Sequence, residues 1–275
     1  MKKATQLKES TQNESPFIIE HEKKESIRLN KYISNSGYCT RKEADRLIES
    51  GKVMIDGIHA KLGDQVFDNQ IVTVNGEQIE IKQNHVYLIL NKPRGITCTG
   101  DPNVEDNIID FMDYPETIFP VGRLDKDSSG LIILTNDGDI VNKILRSTNG
   151  HEKEYIVRVE KYITDRFIRM MNQGVQIYNP VKNTYQMTKE AKITKIDDCT
   201  FRIVITQGLN RQIRRMCKAL GYRVITLERV RIMNIELGTL RTGQWRYLRS
   251  NELSKLNELI KDSTSVYLDP EAIDE

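Results

Sequence analysis

Apolar positions at Leu29, Tyr32 and Ile33 fall on one side of a 3.6-residue spiral, so Ile27–Asn35 predicts an amphipathic helix that Gly37 ends. Thr40-Arg41-Lys42-Glu43 then spells a capping box, and Ala44, Leu47 and Ile48 form the inner face of a second helix that stops at Gly51. The period changes at Lys52–Ile55, a short strand closed by Asp56-Gly57. A further strand pair flanks Asn75-Gly76, and both dipeptides favour two-residue hairpin turns. Residues 27–82 therefore read as a small unit of two helices followed by β hairpins.

After polar Lys82–His85 a larger unit, residues 86–250, has a different rhythm. The apolar run Val86–Leu90 ends in Asn91-Lys92-Pro93-Arg94-Gly95, a turn with two cations, and further strands are predicted at Leu131–Thr135, Glu154–Val159 and Phe201–Thr206. Helices fit Asp139–Arg146, Asp165–Met171 behind an N-capping Thr164, and Arg211–Leu220. Strand runs broken by single helices imply an α+β domain on a mixed or antiparallel sheet. Residues 251–275 read as an acidic C-terminal helix and tail. Residues 1–26 hold five lysines and five glutamates without an apolar core, which predicts a disordered leader and neither a signal nor a transit peptide. No apolar run approaches the roughly 20 residues of a membrane helix, so no membrane association is expected.

Composition adds the ligand class. The four cysteines (Cys39, Cys98, Cys199, Cys217) show neither metal-ligand spacing nor a disulfide framework and read as reduced thiols of a cytoplasmic protein. The net charge of +2 conceals a segregation. Gln207–Arg249 carries ten Lys/Arg against two Glu, whereas Ser250–Glu275 carries seven acids against two lysines. Nine of the ten cations are arginine, with Tyr222, Trp245 and Tyr247 interleaved, a combination that suits phosphate and stacked bases better than a plain solvated face. The two predicted N-terminal helices expose Arg28, Lys31, Arg41, Lys42 and Arg46, which adds a modest case for RNA backbone contact.

The chemistry concentrates in "FPVGRLDKDSSGLIILTNDGD", residues 119–139, where Asp125 stands between Arg123 and Lys126 with Asp127 close behind. Such a carboxylate is a metal ligand, a structural charge or a nucleophile. Asp125, Asp127, Ser129 and Gly130 match positions 1, 3, 5 and 6 of a calcium loop. Position 12, however, is Asn136, and the flanks carry Pro120, Gly122 and a strand in place of helices, so no metal is expected. There is no phosphate-binding Gly-rich loop, dinucleotide fingerprint or Ser/His/Asp set, and no cofactor is expected.

Longer motifs carry a resemblance. "IRLNKYISNSGYCTRKEADRLIESGKVMIDG" resembles the S4 RNA-binding domain. "LNKPRG", Gly122-Arg123-Leu124-Asp125, Lys153-Glu154-Tyr155 and "QGLNRQIRRM" (207–216), in that order, resemble the pseudouridine synthase superfamily. The branch is the one that joins an S4 domain to the catalytic domain and modifies ribosomal RNA, and the resemblance spans about residues 27–250.

The resemblance implies isomerisation of one uridine, with 23S rRNA as the first choice of substrate, without a cofactor. It gives Asp125 the part of nucleophile, with Arg214 as its partner and Arg211 as second choice. It gives Tyr155 the part of stacking on the flipped uracil, and Arg123 that of filling the vacated stack. Arg28, Lys31, Arg41, Lys42, Lys92, Lys153, Asn210, Arg211 and Arg215 are expected to hold the RNA. A monomer acting on rRNA or a pre-ribosomal particle follows. One rival is a non-catalytic S4-type RNA-binding or ribosome-assembly factor, disfavoured by the joint presence of Asp125, Tyr155 and Arg214; the other is a member of the same branch acting on 16S rRNA or tRNA. The leader and the acidic tail lie outside the resemblance.

Overall fold

In the computed structural model, which describes residues 3–7, 26–81, 85–145, 150–179 and 183–263, the first element is a two-residue strand, β1 (Thr5–Gln6), whose partner lies near the far end of the sequence. β2 (Ser26–Arg28) leads into α1 (Leu29–Asn35) and α2 (Arg41–Glu49). Thr40 caps α2 by accepting the Glu43 amide at 3.3 Å. Five short strands follow: β3 (Val53–Ile55), β4 (Ile58–His59), β5 (Gln65–Phe67), β6 (Val72–Val74) and β7 (Glu77–Ile79). Asp56-Gly57 and Asn75-Gly76 take positive φ at both positions, the backbone of a hairpin turn that matches strand twist. Leu29, Ile33, Ala44, Ile48, Val53, Val72 and Val74 form the core of this unit.

The larger domain contains β8 (Tyr87–Lys92), α3 (Ile108–Met112), β9 (Phe119–Val121), β10 (Ser129–Thr135), α4 (Gly138–Leu145), β11 (Lys153–Val159) and α5 (Asp165–Asn172). It continues with β12 (Gln176–Asn179), β13 (Thr184–Met187), β14 (Lys192–Lys195), β15 (Thr200–Ile205), α6 (Gln212–Ala219), β16 (Val224–Ile232), β17 (Ile235–Glu236), β18 (Gln244–Tyr247) and α7 (Ser250–Ile260). The main sheet runs β1-β18-β8-β10-β16-β11-β15-β14, with β9 attached to β10 and β17 to β16. It is mixed: β1·β18 and β10·β16 are parallel, and the remaining pairs are antiparallel. Alternation along β8 and β10 divides the core. Leu88, Leu90, Ile132 and Leu134 face α3, α5 and α6, whereas Ile89, Leu131 and Ile133 face α4 and α7.

Two expectations change here. The leader, expected to be disordered, is ordered at Lys3–Leu7, which run along the open edge of β18; residues 8–25 lie outside the described residues. Ala4, Thr5 and Leu7 donate their amides to Phe111, Gly243 and Trp245 carbonyls at 2.8, 3.0 and 2.8 Å, and Leu7 packs on the α4/α7 side of the core. An exposed sheet edge can order a polar segment through its backbone, which composition does not reveal. Lys31, expected at the RNA backbone, instead forms a half-buried ion pair with Asp139 at the start of α4. Together with the Thr117 hydroxyl donating to the Gly37 carbonyl at 3.2 Å, this ties the N-terminal unit to the larger domain.

Candidate active site

The loop between β9 and β10 and the N-terminus of α6 meet over the end of the sheet. Gly122 takes φ +77°, and the Ser128 amide donates to the Asp125 carbonyl at 3.0 Å, turning the chain so that Asp125 and Asp127 point the same way. On the other side Arg211, in a left-handed conformation with φ +48°, is the N-cap of α6.

Arg211 grips Asp127 with two parallel hydrogen bonds of 3.0 Å. Arg214 lies one turn inward and donates to the Asp127 carbonyl and the Ser128 hydroxyl, each at 3.0 Å. Both guanidiniums also reach Asp125 Oδ2, Arg211 at 3.5 Å and Arg214 at 3.6 Å. The Asp125 carboxylate accepts no hydrogen bond among the described residues, and its Oδ1 is not engaged. The Arg211 hydrogen bonds, helped by the Arg214 charge, hold the Asp127 carboxyl below its ordinary range. Asp127 therefore anchors both arginines and leaves Asp125 the lightly held carboxylate. Its Asp-x-Asp spacing is visible in sequence, but its anchoring part is not.

The other expected residues divide. Tyr155 lies in β11 with 8% of its surface exposed. Arg123 stands in solvent without an ion pair among the described residues. Arg28, Arg41, Lys42 and Asn210 are also exposed. Arg215 is turned to a different use. Its guanidinium donates to the Tyr178 carbonyl at 2.6 Å and to the Asn210 carbonyl, which fastens the β12–β13 hairpin to α6 with two of its donors. Lys92 and Lys153 are not surface contacts either. They are 0% and 6% exposed, and their ammonium groups bond only to backbone carbonyls: Pro93 (2.8 Å) and Ile96 (2.9 Å) for Lys92, His151 (3.3 Å) for Lys153. Both sit at strand ends, Lys92 on the face of Leu88 and Leu90 and Lys153 on that of Tyr155 and Val157, so the pleat carries them inside.

Burial pulls the Lys92 ammonium down to about 8, opposed by nearby Cys98 and Asp125. Burial, reinforced by Arg229, does the same to Lys153. Arg229, 3% exposed in β16, completes this buried group. In sequence it is one more arginine of the basic block, and nothing there separates it from its surface neighbours.

The chain matches the family described as RNA pseudouridylate synthase over residues 86–219 and the S4 domain over residues 27–71. It is 52% identical to the dual-specificity RNA pseudouridine synthase RluF of Escherichia coli (strain K12), covering 87% of this chain and 81% of that protein. The Salmonella typhi protein of the same description is 54% identical over 87% of this chain and 82% of its own length. The ribosomal large subunit pseudouridine synthase B of Bacillus subtilis is 33% identical over 84% of this chain and 96% of that protein. A crystal structure of a pseudouridylate synthase superposes with a TM-score of 0.61 at 30% identity, covering 84% of this chain and 99% of that one.

Proposed function

The chain belongs to the RNA pseudouridine synthases, and on that premise we propose that it isomerises a uridine of 23S ribosomal RNA with Asp125 as the nucleophile. The family's reaction converts uridine to pseudouridine in RNA. The N1–C1′ glycosidic bond breaks, the uracil turns, and C5 takes the place of N1 on C1′. N1 gains a proton and C5 loses one, so no atom is gained or lost overall.

The observation that carries the residue assignment is the setting of Asp125. A nucleophile must present an oriented electron pair to the atom it attacks. The two guanidiniums at 3.5 and 3.6 Å from Oδ2 fix the side chain, while Oδ1 keeps its electron pairs for attack on C1′. The resulting ester is displaced when C5 attacks C1′, which returns the carboxylate. Arg211 and Arg214 share the partner's role. The target base must leave its stack at a cost of a few kcal/mol. Tyr155 offers a ring against which the flipped uracil stacks, worth roughly 1–3 kcal/mol, and exposed Arg123 is placed to fill the gap left in the RNA.

The S4 match with its exposed Arg28, Arg41 and Lys42 supports docking on folded rRNA. The word dual-specificity in the description of relatives at 52–54% identity supports a second RNA substrate for this chain as well.

Two measurements test the reading. Asp125→Asn is expected to keep fold and RNA affinity while release of tritium from C5-labelled uridine falls by several orders of magnitude; appreciable residual turnover excludes the nucleophile assignment. Pseudouridine mapping of total RNA from cells with and without the gene is expected to lose a 23S position. Loss confined to another RNA overturns the substrate assignment and leaves the chemistry intact.

A further inference from the structure

Residues facing one another across neighbouring strands share a face of the sheet. Lys92 of β8 faces Gly130 of β10, Gly130 faces Arg229 of β16, and Arg229 faces Tyr155 of β11. One row thus crosses four strands, on the same face as Leu88, Leu90, Ile132 and Leu134. Lys153, opposite Ile205 of β15 as Tyr155 is opposite Ile203, lies on that face as well, a bulge between Glu154 and Tyr155 shifting its register against β16. The gap in the row has a steric cause. A Cβ on Gly130 would stand 2.2 Å from the Arg229 carbonyl oxygen and 2.6 Å from its nitrogen, and the glycine φ is +104°. No side chain can separate Lys92 from Arg229.

All three cations are withdrawn from water, and none has a carboxylate partner among the described residues. Arg229 Nε donates to the Leu131 carbonyl at 2.7 Å, and one of its terminal nitrogens is buried without any partner among the described residues. Among the described residues the one buried carboxylate is Asp137, which accepts the Tyr87 hydroxyl at 2.7 Å. Buried charges are ordinarily paired, and an unpaired cluster is costly to keep. Retained beside Asp125, it marks a place prepared for negative charge that arrives with the substrate.

We propose that Arg229, flanked by Lys92 and Lys153, compensates the negative charge that passes onto the uracil when its glycosidic bond breaks. The inference rests on the reading that the base is detached during the reaction. As the Asp125–C1′ bond forms, the N1–C1′ pair of electrons leaves with the base and spreads over N1, O2 and O4. The fixed cations lower the energy of that anion without themselves reorganising. Arg229 acts through space and is a positioning charge, distinct from the groups that touch the reacting atoms.

The acidity of the leaving base provides the test. An RNA that the enzyme converts is prepared with uridine or with 5-fluorouridine at the target, and single-turnover consumption of each is followed by nucleoside mass spectrometry. Fluorouracil is the better-stabilised anion and needs less help from the protein. Arg229→Met is expected to slow the uridine substrate by about a hundredfold, the scale of removing one electrostatic stabiliser, and the fluorinated one at least tenfold less. Arg229→Lys should fall between, with RNA affinity unchanged within threefold. Equal losses on the two substrates, or a loss confined to binding, overturn the proposal. If Arg229→Met does not fold, Lys153→Met makes the same comparison and decides it. Survival of turnover in Asp125→Asn would remove the nucleophile assignment and leave the dependence on the base standing, because the uracil detaches whichever group attacks.

Discussion

Arg28, Arg41 and Lys42 of the S4 domain stand in solvent, whereas Lys92, Lys153 and Arg229 of the catalytic domain are almost wholly withdrawn from it. The residue types are the same and so is the formal charge. The difference lies in the elements that carry them. Arg28 ends the short strand β2 as the N-cap of α1, and α1 and α2 each bury one narrow face, Leu29 and Ile33 or Ala44 and Ile48, leaving the rest of the helix to water. The central strands are covered on both sides, so any residue the pleat directs inward is buried whatever its charge. Exposed cations meet phosphate at long range and are screened by salt; buried ones act over short distances and scarcely feel it. The first set is therefore suited to docking RNA and the second to the chemical step.

Arg214, partly buried between those extremes, gives the largest expected effect. Arg214→Lys keeps the charge but gives up the planar grip on the Asp127 carbonyl, Ser128 and Asp125, so single-turnover rates should fall by about a hundredfold or more with RNA affinity within threefold. A fall in affinity of the same size would place Arg214 with the docking cations. Next comes the exposed set. Replacing Arg28, Arg41 and Lys42 together by Ala should weaken RNA binding and flatten its logarithmic salt dependence by up to about 2, at roughly 0.7 for each phosphate no longer neutralised. The rate at saturating enzyme should hold, and stability should move by no more than about 0.5 kcal/mol. An unchanged salt slope would show that these cations do not meet phosphate.

The smallest effect is on stability against pH. Lys92 and Lys153 titrate near 8 in the fold, Lys92 facing Cys98, Asp125, Asp127 and Arg229, and Lys153 facing Arg229. Their ordinary value of 10.5 applies when unfolded, so above about pH 8 the unfolded chain binds more protons and stability rises with pH. The gain is at most about 1.4 kcal/mol per pH unit for each lysine. Cys39 and Cys217, whose thiols burial pushes up from 9 to about 11 and about 12, oppose the rise from about pH 9 without cancelling it. Tyr87 and Tyr114, whose hydroxyls are held protonated by burial, reverse the trend above about pH 10. Denaturant titrations at pH 8 and pH 9.5 should show the rise, and Lys92→Met should reduce it. A flat profile in the parent protein would mean that these ammonium groups are not desolvated.

Legibility followed the same division. Thr40 and Thr164 cap α2 and α5 by accepting amides of Glu43 and Phe167, as their spelling before apolar periodic runs predicts. Asp56-Gly57 and Asn75-Gly76 turn the chain where hairpin chemistry requires. In each case the deciding interaction lies within a few residues. β16 is opaque for the opposite reason. "VITLERVRI" carries three charges in nine residues, and whether Arg229 goes inside or out depends on β10 and β11, which are remote in sequence. Glu154 and Glu152 bind Arg231, and Glu160 binds Arg223, so part of the basic block is neutralised by residues outside it. The aspartate and its two arginines were legible because three separate motifs converged on them. Only the folded chain separates Asp125, lightly held, from Asp127, the anchor.

The strand at Thr5–Gln6 has one more consequence, and it concerns time. Its register partners are Gln244 and Trp245, so during synthesis these early residues must wait for almost the whole catalytic domain before they have a neighbour. Closing so long a loop slows folding more than it costs stability, since the entropy of closure grows only logarithmically with length. The docking of residues 4–7 on β18 is thus a late event of assembly, and until it occurs the edge of the sheet remains open to any other extended chain.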